Sequence, residues 1–192
     1  MPYHGHMAES PGAADPLLPP RPLPATYWAV PGRFLVGEHP GSQSRAEARD
    51  RLRRFLDFGV TCFVDLTEPG ELPSYESLLP YMTPDGRRVE YLREPIRDHD
   101  VPSGEEVVAR ALEMIDDALE AGHVVYLHCR AGIGRSALVA GCWLTSRGNV
   151  DDPLEELQAR WQQSSRSRGW PVVPETEEQE QFVRAWGRRG GV

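Results

Sequence analysis

Apolar positions along this chain follow two different periods. Short runs rich in β-branched and aromatic residues at 27–30, 34–37, 60–66, 89–92 and 124–127 predict strands. Pro31-Gly32 predicts a turn joining the first two. Ala48, Leu52, Phe55 and Leu56 share one face of a helix across 42–58, with Gly59 placed to end it. Ser103-x-x-Glu106 reads as a capping box opening a strongly amphipathic helix with Val107, Val108, Ala111, Leu112, Ile115, Ala118 and Leu119 on its apolar face. A helical pattern starts at Ser136, another opens at Asp152-Pro153, and a last one covers 175–186. Residues 72–82 read as a less regular helical segment. Strands alternating with helices predict a single α/β domain, with a central mixed or parallel sheet flanked by helices on both faces.

That domain is expected at 25–187, between a proline-rich arm at 1–24 and a flexible tail at 188–192. The arm lacks apolar periodicity and reads as disordered, partly polyproline II chain. Its Pro16-Leu17-Leu18-Pro19-Pro20-Arg21 run has the spacing of an SH3 ligand, a pattern that also arises readily in any proline-rich tail. One domain suits 192 residues, of which 40% are hydrophobic. A net charge of −8 argues against a general nucleic-acid surface. All 21 basic residues are arginine, so lysine chemistry is excluded and arginine is the strong cation for phosphate. The three cysteines, Cys62, Cys129 and Cys142, lack metal-ligand spacing and suggest a reducing compartment. No apolar run reaches the length of a membrane span, and the first residues lack the apolar core of a signal peptide. The expected protein is cytoplasmic and a monomer, with neither nucleic-acid nor membrane partners.

Candidate chemistry concentrates at His128-Cys129-Arg130-Ala131-Gly132-Ile133-Gly134-Arg135-Ser136. A loop of this length can wrap a tetrahedral oxyanion with inward-facing amides, helped by Gly132 and Gly134, which can take positive φ. Arg135 offers a planar fork for two phosphate oxygens. A sulfur at the bottom of such a positive pocket is favoured as thiolate, a nucleophile aimed at phosphorus. The 124–127 run before the loop and the helical pattern after it supply a strand, a glycine loop and a helix N-terminus, the parts of an anion site. The chemistry expected is phosphate ester hydrolysis through a cysteinyl-phosphate, against the alternative of a buried cysteine in a glycine-rich turn.

The same run resembles the signature of the cysteine-dependent protein tyrosine phosphatase superfamily, His-Cys-x-x-Gly-x-x-Arg-Ser/Thr, and agrees with it at every fixed position. Pro95-Ile96-Arg97-Asp98-His99-Asp100-Val101-Pro102 resembles the general-acid loop of that superfamily. Asp98 matches the acid in the form found in cyclin-dependent-kinase-associated phosphatases, of the dual-specificity branch, and Asp100 is the alternative. Glu175-Thr176-x-x-Gln179-x-x-Phe182 is similar to a glutamine loop whose second glutamine positions the hydrolytic water. Gln179 matches that glutamine and Glu175 departs from the first; a surface glutamine on an acidic helix is the competing reading. Asp65-Leu66-Thr67-Glu68-x-x-Glu71-Leu72-x-x-Tyr75 resembles a segment after a core strand in dual-specificity phosphatases.

The resemblance implies a role for each matching residue. Cys129 attacks phosphorus, and Arg135 with the amides of Arg130, Ala131, Gly132, Ile133 and Gly134 binds the phosphoryl oxygens. His128 fixes the loop, Ser136 donates to the sulfur, and Asp98 protonates the leaving oxygen before acting as base toward water. No metal or other cofactor is called for. Phosphoinositide phosphatases of this superfamily carry two lysines within the loop, where this chain has Arg130 and Ile133, so a phosphorylated protein is the expected substrate. The domain is short and lacks a pocket-deepening tyrosine loop, which implies access for phosphotyrosine and phosphoserine/threonine alike. Alternatives are a phosphoinositide or small-molecule phosphatase, a rhodanese-like sulfurtransferase or arsenate reductase, and a silent phosphate-binding module. Cys62 and Cys142 are candidate resolving thiols for an oxidised Cys129, or core residues.

Overall fold

A computed structural model of the chain describes residues 18–147 and 152–187. In order these form β1 (Thr26–Val30), β2 (Phe34–Gly37), α1 (Arg45–Asp57), β3 (Val60–Asp65), β4 (Glu90–Arg93), α2 (Glu105–Glu120), β5 (Val124–His128), α3 (Arg135–Ser146), α4 (Pro153–Trp161) and α5 (Glu177–Gly187). The five-stranded sheet runs β1-β2-β5-β3-β4, with β1 antiparallel to β2 and the remaining pairs parallel.

Strand alternation divides the core into two layers. On one face Phe34 and Val36 of β2, Cys62 and Val64 of β3, and Val125 and Leu127 of β5 meet residues of α2, α3, α4 and α5. On the other, Leu35, Phe63 and Tyr126 pack under Leu52 and Phe55 of α1. The expected α/β domain with both sheet faces covered is the fold observed. Every residue of α3 from Arg135 to Leu144 is buried, which explains why its sequence is apolar with little periodicity. α2, wetted along one side, keeps its apolar stripe.

Four expectations need correction. Residues 72–82 form only a one-turn 3₁₀ helix at Glu76–Leu78. Pro73 and Pro80 prevent a longer helix, and the chain instead turns into an isolated bridge between Met82 and Arg88. Ser103 does not cap α2: Gly104 is its N-cap, in extended conformation and with no side-chain hydrogen bond. The capping signal lay one residue too early.

The arm's end is packed as well. Leu23 is buried, Trp28 Nε1 donates to Pro19 O at 3.0 Å, and an Arg21 guanidinium nitrogen donates to Gln163 O at 2.6 Å. Residues 18–24 therefore pack on the domain, and the Leu18–Arg21 part of the SH3-like run is engaged by its own chain. The earlier part of the arm and the tail at 188–192 lie outside the described residues. The fourth correction concerns Gly134 and is given with the site.

The end of α4 and the residues just after it guard the free side of β1. The Gln163 side chain accepts from Trp28 N at 3.0 Å and donates back to Trp28 O at 3.2 Å, and Arg160 Nε donates to Ala29 O at 2.8 Å. No helix among the described residues is long and apolar enough to cross a membrane.

Trp161 ties α4 to this edge. Fully buried, it meets Tyr27 edge to face at 5.5 Å and donates through Nε1 to Trp170 O at 2.7 Å. Trp161→Ala should lower unfolding stability by about 3–5 kcal/mol, as measured by urea titration.

Candidate active site

The loop after β5 starts where three parallel strands end. His128, the last residue of β5, stands in register with Asp65 of β3 and Gly37 of β2, so Cys129 projects beyond the carboxyl ends of the central strands. Ligand sites in open α/β sheets form there. Six residues later the chain becomes α3, whose first amides and dipole face the loop.

Gly132 takes φ +79°, and a Cβ at that position would come 2.6 Å from the carbonyl carbon of Gly37, so only glycine fits. Gly134 has φ −102°, not the positive value that the sequence suggested. The space beside it is close, since a Cβ would stand 3.1 Å from both Gln179 Oε1 and Glu175 Oε2 and those side-chain ends would have to give way slightly.

The Cys129 sulfur lies at the bottom of the loop, almost out of solvent. It accepts from Gly132 N at 3.3 Å and stands 3.3 Å from Ser136 Oγ. Arg135 is buried beside it. Its two terminal nitrogens donate to Glu71 at 2.8 Å each, one of them also to Ile96 O at 2.9 Å, and the other meets Asp98 Oδ1 at 2.7 Å. Burial opposes the charge of this guanidinium, but Glu71, Cys129 and Asp98 outweigh it and push its pKa up. Its Nε is buried without a partner, a donor left over for a ligand oxygen.

Asp98 is held from both sides. Arg130 Nε donates to its Oδ2 at 2.9 Å while Arg135 holds Oδ1. Arg130 also reaches Glu71 at 3.2 Å. Asp100, by contrast, is exposed and accepts from the adjacent Val101 N at 2.8 Å. The geometry thus brings Asp98 to the loop and turns the Asp100 carboxylate onto its own backbone. Gln179 is fully buried, not a surface residue, and donates to Asp100 O at 3.0 Å. Ile133 is buried too.

Behind the loop lies a network that sequence patterns did not assign. Tyr75 Oη stands 2.6 Å from His128 Nε2, and His128 Nδ1 lies 3.3 Å from the Cys129 carbonyl. A carbonyl can only accept, so Nδ1 carries the proton and Nε2 accepts from the Tyr75 hydroxyl. Burial pushes the His128 pKa down to about 4, although Asp65 pulls the other way. Asp65 stays well below the usual carboxylate range despite its own burial, through His128, Arg93 and Thr67. Thr67 N and Oγ1 donate to it at 2.8 and 2.7 Å, and Tyr91 Oη at 2.7 Å.

Cys62 and Cys142 are free and fully buried. Burial pushes the Cys62 thiol up to about 12 and raises Cys142 as well, so both behave as core residues and poor resolving thiols. Among the described residues no group of three or more His, Cys, Asp or Glu side chains could hold a metal ion.

The family Tc-R-P, described as a polymorphic toxin system DSP-PTPase phosphatase, matches residues 38–149. The chain belongs to this phosphatase family. A protein of Invertebrate iridescent virus 3 named as a tyrosine phosphatase is 32% identical over 138 residues, covering 65% of this chain and 54% of that protein. An Arabidopsis thaliana phosphatidylglycerophosphate phosphatase is 30% identical over 94 residues, 49% of this chain and 26% of that one. The chain therefore spans about half or less of the length of these relatives. Among solved structures, Tk-PTP in the active form superposes with a TM-score of 0.60 at 26% identity, over 86% of this chain and 98% of that one. The kinase associated phosphatase shares the fold, with a TM-score of 0.64 at 18% identity, over 83% and 88%. Family membership removes the sulfurtransferase and arsenate reductase alternatives.

Glu71, which takes both terminal nitrogens of Arg135, had no role assigned from sequence, although its segment carried a family resemblance. Its approach to Arg135 crosses 64 positions of sequence, which periodicity cannot reveal.

The buried histidine makes stability depend on pH. In the unfolded chain His128 takes up a proton near its ordinary 6.5, but in the fold only at about 4. Between those values the unfolded state binds more protons, so stability falls as pH is lowered through that window, by up to ~3 kcal/mol from this group. Urea midpoints measured from pH 7 to 4 should show a shallower decline in His128→Asn than in the wild type.

Proposed function

We propose that this chain is a phosphoprotein phosphatase, acting on phosphotyrosine and also on phosphoserine and phosphothreonine through a cysteinyl-phosphate intermediate. The observation that carries this reading is the convergence of Cys129 Sγ, the Arg135 guanidinium and the Asp98 carboxylate at one helix N-terminus.

A phosphate ester entering the loop places its oxygens against the amides of 130–135 and against Arg135, whose free Nε adds a donor. Asp98 yields its place on Arg135 to the ester. Cys129, as thiolate, forms the S–P bond while the P–O bond to the leaving group breaks and Asp98 delivers a proton to the departing oxygen. In the second step water attacks phosphorus, its proton passes to Asp98, and the S–P bond breaks. Ser136 donates to the departing thiolate. Gln179, buried against the acid loop beside Gly134, is suited to orient that water.

The rim favours a phosphoprotein over a polyanionic lipid headgroup. The Arg130 guanidinium already faces two carboxylates, Asp98 and Glu71, and Ile133 is buried, so neither offers a free second cation. The plant relative's name keeps a lipid phosphate as the second reading. A reducing compartment such as the cytoplasm suits the three free cysteines.

Two measurements test this. Cys129→Ser should abolish turnover while the fold persists, and vanadate but not chelators should inhibit the wild type; chelator-sensitive turnover in Cys129→Ser would defeat the mechanism. Among phosphotyrosine, phosphoserine and phosphothreonine peptides and phosphatidylglycerophosphate vesicles, the peptides should be preferred, and turnover of vesicles alone would transfer the assignment to lipid. Separately, Asp98→Asn should lower the rate on alkyl phosphates by roughly 10²–10⁴-fold and less on activated aryl phosphates, with a much smaller effect from Asp100→Asn. A large, leaving-group-dependent loss in Asp100→Asn alone would reverse the two roles.

A further inference from the structure

The residue after Asp98 has a left-handed backbone: His99, with φ 58°, is the one residue other than glycine with positive φ among the described residues. Histidine tolerates this region better than most L-residues, yet such a conformation persists only where neighbouring contacts hold it. The imidazole reaches the segment before α5, where Nδ1 stands 3.3 Å from Glu175 Oε2, while Nε2 lies 4.0 Å from Asp98 Oδ2. The next residue makes a second connection just beyond, to the first turn of α5, because Gln179 Nε2 donates to the Asp100 carbonyl at 3.0 Å. The side-chain ends of Glu175 and Gln179 both lie near Gly134 of the nucleophile loop. The acid loop is thus fastened at two successive residues to a stretch of chain that lies beside the loop bearing Cys129.

We propose that His99 and Glu175 form a positioning pair that fixes the acid loop so that Asp98 faces the phosphoryl site. This rests on Asp98 being the general acid. His99 is 67% exposed, and its contacts go to carboxylates, so it acts through Asp98 and does not bind the phosphoryl group. A single contact at Asp100 would leave the loop free to pivot; the second, one residue nearer the acid, holds the backbone from which the Asp98 carboxylate reaches Arg130 and Arg135. The pair also gives Glu175 a physical reason to be a carboxylate, where the glutamine-loop pattern has a neutral amide: it complements an imidazole.

Two single variants and their combination test the pair. His99→Asn removes the imidazole and keeps a residue that tolerates the left-handed backbone, and Glu175→Gln removes the charge alone. Each should lower kcat on phenyl phosphate roughly two- to fivefold, the rate equivalent of a partly exposed polar contact. The loss should nearly vanish on p-nitrophenyl phosphate, whose leaving group needs little protonation, and vanadate inhibition should stay unchanged. The double variant should lose no more than the worse single one. Should His99→Asn fail to fold, Glu175→Gln decides through the contrast between the two esters. Additive losses, equal losses on both esters, or no loss while Asp98→Asn keeps its leaving-group-dependent defect would each overturn the pair. An Asp98→Asn variant without that dependence would overturn the acid assignment, and the pair with it.

Discussion

A guanidinium buried at the start of a helix dictates how the surrounding chain must run. Arg135 is 1% exposed, and a charge in that position is tolerable only if carboxylates and carbonyls surround it. The acceptors come from two places beyond the carboxyl ends of strands: Glu71 in the turn after β3, and Ile96 and Asp98 in the acid loop after β4. Meeting the needs of one side chain therefore gathers the loops after β3 and β4 around Cys129. In the proposed mechanism Asp98 is the acceptor that a phosphate ester replaces, one anion giving way to another while Glu71 stays in place.

The second constraint acts from behind. His128 carries no charge at neutral pH, and its orientation is set by one donor and one acceptor, the Tyr75 hydroxyl and the Cys129 carbonyl. Tyr75 is itself buried and keeps its proton, its pKa raised by burial and then by Asp65. Asp65 is satisfied by Thr67, Tyr91 and Arg93. With His128 neutral, this polar network holds the carbonyl end of Cys129 without the imidazole adding a charge of its own behind the loop.

What could be read from the sequence follows from how local each signal is. The Cys129–Ser136 loop, the apolar stripe of α2 and the Asp152-Pro153 helix start are set by neighbours within a turn or two, and all three stand in the structure. The segment at 72–82 misled because its apolar residues cover Tyr75 and the α1 side of the sheet instead of forming one helical face, with prolines breaking the ladder. Gly134 misled because glycine serves two ends, and here it leaves room for Gln179 and Glu175 instead of supplying positive φ. The partnership of Glu71 with Arg135, and of His99 with Glu175, joins residues far apart in sequence; neither spacing nor period records such distances.

The glutamine and arginine beside β1 have a consequence for the molecule's solution behaviour. An outer strand whose main-chain groups are unclaimed is a template on which another extended chain can be laid down, the first step toward intermolecular sheets. Gln163 answers both the amide and the carbonyl of Trp28, as a residue of an adjoining strand would, and Arg160 claims the carbonyl of Ala29. The seat of a sixth strand is thus taken by two side chains, which any incoming extended chain would have to displace before pairing with β1.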